Sequence, residues 1–273
     1  MDLSFKITAL VISIALGCGS CGQAETFDCV MDPPVIVNLG SAISGLLNDV
    51  SVSRGDLVTE GQVVANVDST VEVAARNVLA LRAENTSRIE SQAARLELIE
   101  NRMKRSQSLL ERGVVTEDAM QEIEAERVAA LSLLDEAKME LELAKRDLVR
   151  ADALLDRYQI RSPVDGIVQE RRLSAGEFVH QDTFVVTIVK LDPLYVETFL
   201  PVEFYGQVSR GDYAVVRPAA PVEGSFEALV EVVDTVFDTA SGTFGVRLAL
   251  PNPERAIPGG HRCQVEFSLN AGQ

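Results

Sequence analysis

The sequence predicts an elongated α+β protein of several domains. An antiparallel helical hairpin interrupts a split β domain, and a small β-barrel follows. Three observations carry this: an internal repeat, a heptad pattern lodged inside it, and a last third of short turn-punctuated β runs. With 273 residues, 47% of them hydrophobic, the chain has material for more than one core.

The repeat sets residues 44–67 against residues 165–188 at a constant offset of 121 positions, without a gap. Gly45 falls on Gly166, Ser53 on Ser174, Gly55 on Gly176, Val58 on Val179 and Val64 on Val185. Asp56 meets Glu177, and Leu57 meets Phe178. A glycine followed by an acid between two β-rich runs marks a turn, because glycine accepts positive φ without steric cost. Each half therefore predicts a few short strands around one turn, over residues 40–69 and 159–190. Gly45, Gly55, Gly166 and Gly176 are its turn glycines.

Between the halves, over residues 70–158, the apolar period lengthens to a heptad. Leu134, Leu141, Leu148 and Leu155 recur every seven residues, as do Ala130, Ala137, Ala144 and Ala151. Leucine in one seam position and alanine in the other predicts close approach of a partner helix. In the first arm Ala75, Ile89, Leu96, Met103 and Leu110 share one phase, and Val71, Val78 and Ile99 another. Arg82, Asn85 and Gln92 interrupt that seam. Gly113 suits a helix C′ position and Thr116 an N-cap, so the chain turns back between them. At about forty residues per arm and 1.5 Å per residue, the hairpin projects roughly 60 Å.

Residues 191–273 hold five β runs, separated by Ser241-Gly242, Pro251-Asn252-Pro253 and Pro258-Gly259-Gly260, which predict a small barrel. Residues 25–39 form an N-terminal strand segment. Ahead of it, Lys6, the apolar run 7–16 and the small residues up to Ala24 predict a signal peptide over residues 1–24. Its removal leaves Cys29 and Cys263, which in an oxidising compartment pair as one disulfide. A competing cut precedes Cys18, where Ala15-Leu16-Gly17-Cys18 looks like a lipoprotein box and would anchor the chain by lipid.

The charge balance, 41 acidic against 25 basic residues and −16 overall, excludes nucleic acid as a partner. Trp is absent and aromatics are 5%, which argues against a stacking groove. His180 and His261 lack ligand or catalytic partners at useful spacing, and Gly259-Gly260 is a turn rather than a phosphate loop. No lysine lies between Lys6 and Lys104, so a biotin or lipoate attachment site is missing. The expectation is no enzyme, no cofactor and no metal.

Two stretches carry a resemblance: Ile160-Arg161-Ser162-Pro163-Val164-Asp165-Gly166-Ile167-Val168 and Leu191-Asp192-Pro193-Leu194-Tyr195-Val196. With the order of parts, they resemble the periplasmic adaptor (membrane fusion protein, HlyD-like) family of tripartite efflux pumps. The resemblance implies a split biotinyl/lipoyl-like domain with a coiled-coil hairpin inserted, and a homo-oligomer, commonly a hexamer, in the periplasm. It implies an inner-membrane transporter, of RND rather than ABC type, and a TolC-like outer-membrane channel. The family's tip pattern, Arg-x3-Leu-x6-Ser, falls on Arg105, Leu109 and Thr116, with threonine for serine. Little sequence follows Leu269, so the family's membrane-proximal domain is expected to be reduced or missing. The competing readings are an adaptor of an ABC exporter or type I secretion system, and a structural coiled-coil protein of the envelope.

Overall fold

The computed structural model describes residues 24–268, so the leader reading, including Cys18, lies outside the described residues. The chain divides into two compact units, one from Ile36 to Lys190 and one from the two flanking segments.

Strand β1 (Ala24–Asp32) opens the flanking unit, and β2 (Val35–Gly40) leads into the other. The expected single N-terminal strand segment is thus two strands, parted at Pro33-Pro34, where the missing amide hydrogens end a ladder. Next come β3 (Gly45–Val50), β4 (Leu57–Val58) and β5 (Val63–Val67). After the helices follow β6 (Gln159–Arg161), β7 (Gly166–Arg171), β8 (Phe178–Val179) and β9 (Phe184–Lys190). They form two four-stranded sheets, β2-β9-β7-β4 and β6-β5-β3-β8. Each sheet takes strands from both halves of the chain. Leu47, Val64, Val179, Val185 and Ile188 are fully buried in the shared core.

The offset of 121 residues reappears in the hydrogen bonds. Gly55 N donates to Val168 O at 2.8 Å, and Gly176 N donates to Leu47 O at 2.7 Å. Val168 N donates to Asp56 O, and Leu47 N to Glu177 O, both at 2.9 Å. Each turn is therefore bound to the equivalent strand of the other half.

Three helices separate the halves: α1 (Thr70–Glu84), α2 (Ser87–Leu110) and α3 (Glu117–Asp156). The first arm, expected to be one helix, is interrupted at Asn85-Thr86. Asn85 is extended (φ −78°, ψ 103°), and its Oδ1 accepts from Ser87 N at 3.0 Å. The Thr86 hydroxyl donates to Glu90 Oε1 at 2.6 Å. A short polar side chain that bonds nearby backbone competes with helix, and Asn85, extended and bonded to Ser87 N, separates α1 from α2.

Ion pairs join the arms in antiparallel order: Arg102–Glu126 at 3.0 Å, Arg88–Glu140, and Arg76–Asp152 at 2.7 Å. From Arg102 to Arg76 the first arm descends as many residues as α3 ascends from Glu126 to Asp152. The register survives the interruption.

The α3 seam keeps the expected heptad, with Ile123, Ala130, Leu134 and Ala137 buried. The α1 seam differs from expectation. Val71 and Val78 face solvent, while Ala83 is buried and Arg76, Leu79 and Ala80 are half-buried. The interruption changes the helical phase, so a heptad carried unbroken from α2 selects the wrong face of α1.

The flanking unit is a closed barrel of β1 with β10 (Leu194–Pro201), β11 (Tyr213–Pro218), β12 (Phe226–Val233), β13 (Thr243–Leu250) and β14 (His261–Ser268). Its strand order is β1-β10-β13-β12-β11-β14, antiparallel throughout. Alternation along β10 and β13 sends Leu194, Val196, Leu200, Phe244, Val246 and Leu248 inward. A single 3-10 turn, Val202–Phe204, follows β10.

Candidate functional site

The candidate site is the turn between α2 and α3. Gly113 N donates to Leu110 O at 2.9 Å, and Val114 N to Leu109 O at 3.0 Å. This pair of bonds, with Gly113 at φ 76°, is a Schellman motif that uses up carbonyls left open by the end of α2. Thr116 is extended (φ −84°, ψ 158°), and its Oγ1 accepts from Ala119 N at 3.3 Å as the N-cap of α3. Glu117 and Asp118 stand in the first turn, where the helix dipole favours negative charge. The turn is closed by its own backbone and needs no neighbour to hold its shape.

Arg105 and Leu109 lie one turn apart on α2, and Thr116 stands at the start of α3. Arg105 is exposed and forms no ion pair among the described residues, so its five N–H donors are available. Leu109 is half-buried. Thr116 spends an acceptor lone pair on the cap and keeps its hydroxyl hydrogen to donate. The sequence reading passed over Val114, which stands 69% exposed at the apex. The sequence carries no signal for this, because an apolar residue directly after a C′ glycine ordinarily folds back on the last turn of its helix.

The four glycines expected at turns lie in the sandwich, away from this turn, and only Gly55 and Gly176 stand in turns, whereas Gly45 and Gly166 open strands β3 and β7. Gly55 and Gly176 have positive φ, 94° and 86°. Gly45 and Gly166 sit where a Cβ would strike a neighbour. The junction to α1 holds Asp68-Ser69-Thr70, with no lysine. The Thr70 hydroxyl and amide both donate to Asp68 Oδ1, at 2.6 and 3.1 Å, and hold that carboxyl below its ordinary range. At the base of the arms the neighbouring Glu72 carboxylate raises the Tyr158 phenol above its usual value.

The other singled-out residues are structural in their surroundings. The His180 ring packs tilted against Phe178, with centroids 4.8 Å apart, and His261 Nε2 lies 2.7 Å from Ala219 O. No group of three metal-ligating side chains occurs among the described residues. Among them, no helix is long and apolar enough to cross a membrane. Cys29 and Cys263 are register partners on β1 and β14, with Cα atoms 4.9 Å apart, a separation that a disulfide spans.

Two sheets built from exchanged strands, with helices inserted between β5 and β6, are the arrangement described as the CzcB-like, barrel-sandwich hybrid domain, which matches residues 35–190. The chain belongs to the CzcB-like barrel-sandwich hybrid family. Its curated relatives include the cobalt-zinc-cadmium resistance protein CzcB of Cupriavidus metallidurans, 25% identical over 219 residues. That match covers 78% of this chain and 39% of the relative, so the chain spans about two-fifths of that protein's length.

Among solved structures, MacA from Actinobacillus actinomycetemcomitans aligns with a TM-score of 0.72 at 18% identity, over 92% of this chain and 80% of MacA. The membrane fusion protein Spr0693 from Streptococcus pneumoniae R6 aligns with a TM-score of 0.59 at 16% identity, over 90% of this chain and all of Spr0693. Both share the CzcB-like family's fold with this chain. The resemblance to membrane fusion proteins read from residues 160–168 and 191–196 is borne out.

Proposed function

We propose that the chain is a periplasmic adaptor that links an inner-membrane transporter to a TolC-like outer-membrane channel. Several copies, six in the family's usual arrangement, pack into a duct, and the transporter supplies the energy. In this reading the chain does no chemistry and carries no cofactor. The observation that carries it is a sandwich interrupted between β5 and β6 by an antiparallel helical hairpin ending in a self-closed, exposed turn. A hairpin that buries little beyond its own seam has its use at the far end.

At that end Arg105 donates to carbonyls or carboxylates of the channel, Leu109 fills an apolar notch, and Thr116 donates its hydroxyl. An RND transporter is the partner taken first. The name of the CzcB relative makes divalent metal cations the first compounds to test for efflux.

The test replaces Arg105→Asp and Leu109→Asp, with Arg95→Asp on the exposed side of α2 as control. An unpaired buried charge costs about 3–5 kcal/mol, so cross-linking to the channel falls at least tenfold and metal tolerance is lost. Helix content by circular dichroism stays unchanged, and the control behaves as wild type. Tip variants that fold, cross-link and protect as wild type overturn the docking role and leave Thr116 a helix cap. Co-purification from native membranes identifies the transporter as RND or ABC.

The same reading takes Cys29–Cys263 as a disulfide formed in the oxidising periplasm, supported by their register and spacing. Closing so long a loop stabilises by about 4–5 kcal/mol in the chain-entropy model. Alkylation of the unreduced, unfolded protein should leave both thiols unlabelled, and full labelling of both sinks the assignment.

A further inference from the structure

The outer wall of the barrel holds a cavity that the adaptor function leaves unused. Its volume is about 660 Å³, and Asp28, Val30, Asp32, Glu197, Phe199 and Arg262 surround it. Three neighbouring strands supply them, with β1 in the middle, β10 on one side and β14 on the other. Val30 is the centre, since its register partners are Glu197 on β10 and Arg262 on β14. Asp28 and Asp32 stand on the same outward face of β1, before and after Val30, each about 7 Å away along the strand.

The floor is apolar and fixed by the strand ladder. Val30 is a short side chain among longer ones and is 38% exposed. Beside it in the ladder, Cys29 and Cys263 pair, face the interior and are buried. Phe199 forms the lip, 66% exposed on β10. One outward phenylalanine is ordinary on a protein surface. One that borders an apolar floor flanked by uncompensated charge is not.

The charges around this floor are open. Glu197 is already engaged, because Arg247 Nε donates to its Oε1 at 2.6 Å. The same guanidinium lies 4.9 Å from the centre of the Tyr195 ring. Asp28, Asp32 and Arg262 are exposed, and their side chains form no ion pair or hydrogen bond among the described residues. Two carboxylates and a guanidinium thus flank one apolar patch without neutralising each other.

That set selects a ligand by charge and shape. An ammonium group donates to Asp28 or Asp32, and a carboxylate accepts from two N–H groups of Arg262. An apolar body between them covers Val30 and the Phe199 ring. A lone cation would be repelled by Arg262, and a lone anion by the two aspartates. We propose that this wall of the barrel binds a small zwitterion with an apolar side group, of the amino-acid or dipeptide class. The site does not depend on the adaptor function, and each can fail without the other.

Saturation-transfer NMR with the full chain and L-tryptophan tests this. Transfer to the indole should saturate with a dissociation constant on the order of 1 mM, as suits a ligand of this size. Tryptamine lacks the carboxylate and indole-3-propionate lacks the ammonium, and each should bind about tenfold more weakly. Arg262→Gln should weaken L-tryptophan about tenfold and should not weaken tryptamine. Asp28→Asn combined with Asp32→Asn should weaken L-tryptophan as much and should not weaken indole-3-propionate. Phe199→Ser should weaken all three. Glu227→Gln, exposed on β12, is the control and should change nothing. Circular dichroism should be the same for every variant.

Tryptamine or indole-3-propionate binding as tightly as L-tryptophan overturns the proposal. So does L-tryptophan binding that survives the changes at Asp28, Asp32 and Arg262. Absence of transfer to all three compounds overturns it as well. A cross-link from position 30 to a purified inner-membrane transporter, with no transfer to the compounds, makes the wall a protein interface instead.

Discussion

Gly55 and Gly176 hold the same place in the two halves of the sandwich, and a Cβ at either would have nothing within 4 Å. Gly45 and Gly166 also correspond, yet their surroundings differ. At Gly45 an added Cβ meets only the Val67 Cγ1 methyl, at 2.6 Å. At Gly166 it meets the backbone oxygen of Val189 at 2.6 Å and the Ile188 methyl at 2.8 Å. The second half is also the more deeply packed, with five consecutive buried residues from Val185 to Val189. Equivalent turns and exchanged hydrogen bonds have been kept in both halves, while the packing against them has diverged. Backbone geometry is the shared property of the pair, and side-chain packing is the individual one.

Alanine substitutions sharpen this contrast. Gly166→Ala should destabilise by about 3 kcal/mol, because a carbonyl fixed in a strand cannot step aside, and Gly45→Ala by about 2 kcal/mol, because a methyl can yield in part. The midpoint of urea unfolding measures both. Equal losses would mean that the two environments are interchangeable after all. A smaller effect is expected at the turns, where Gly55→Ala and Gly176→Ala force a side chain into positive φ with no clash. Each should cost about 1 kcal/mol, and the two should agree closely. A clear difference between them would break the equivalence of the turns.

Much of this was legible from residue types. Glycines and apolar positions at a fixed offset expose a duplicated β domain, since its turns demand positive φ and its cores demand alternation. The α3 seam was legible because leucine and alanine repeat without a break. The α1 seam was not, since Asn85 and Thr86 interrupt the arm and reset its phase. The division of residues 25–39 into two strands of different units was also missed, although Pro33-Pro34 marks it. Arg105, Leu109 and Thr116 are singled out only by the resemblance to the adaptor family, whose tip pattern contains no apolar apex and so passes over Val114. The cavity on the barrel wall escaped notice for a physical reason. Asp28, Val30, Glu197, Phe199 and Arg262 lie on segments far apart in sequence, and only the pairing of β1 with β10 and β14 unites them.

A closed barrel has a consequence for recognition. Each of its six strands has a neighbour on both sides, so no row of amide and carbonyl groups is left over along a wall. A visiting peptide finds no place to add itself as a further strand. Association with this unit is therefore written in side chains and loops, which can be altered one residue at a time while the ladder beneath stays intact.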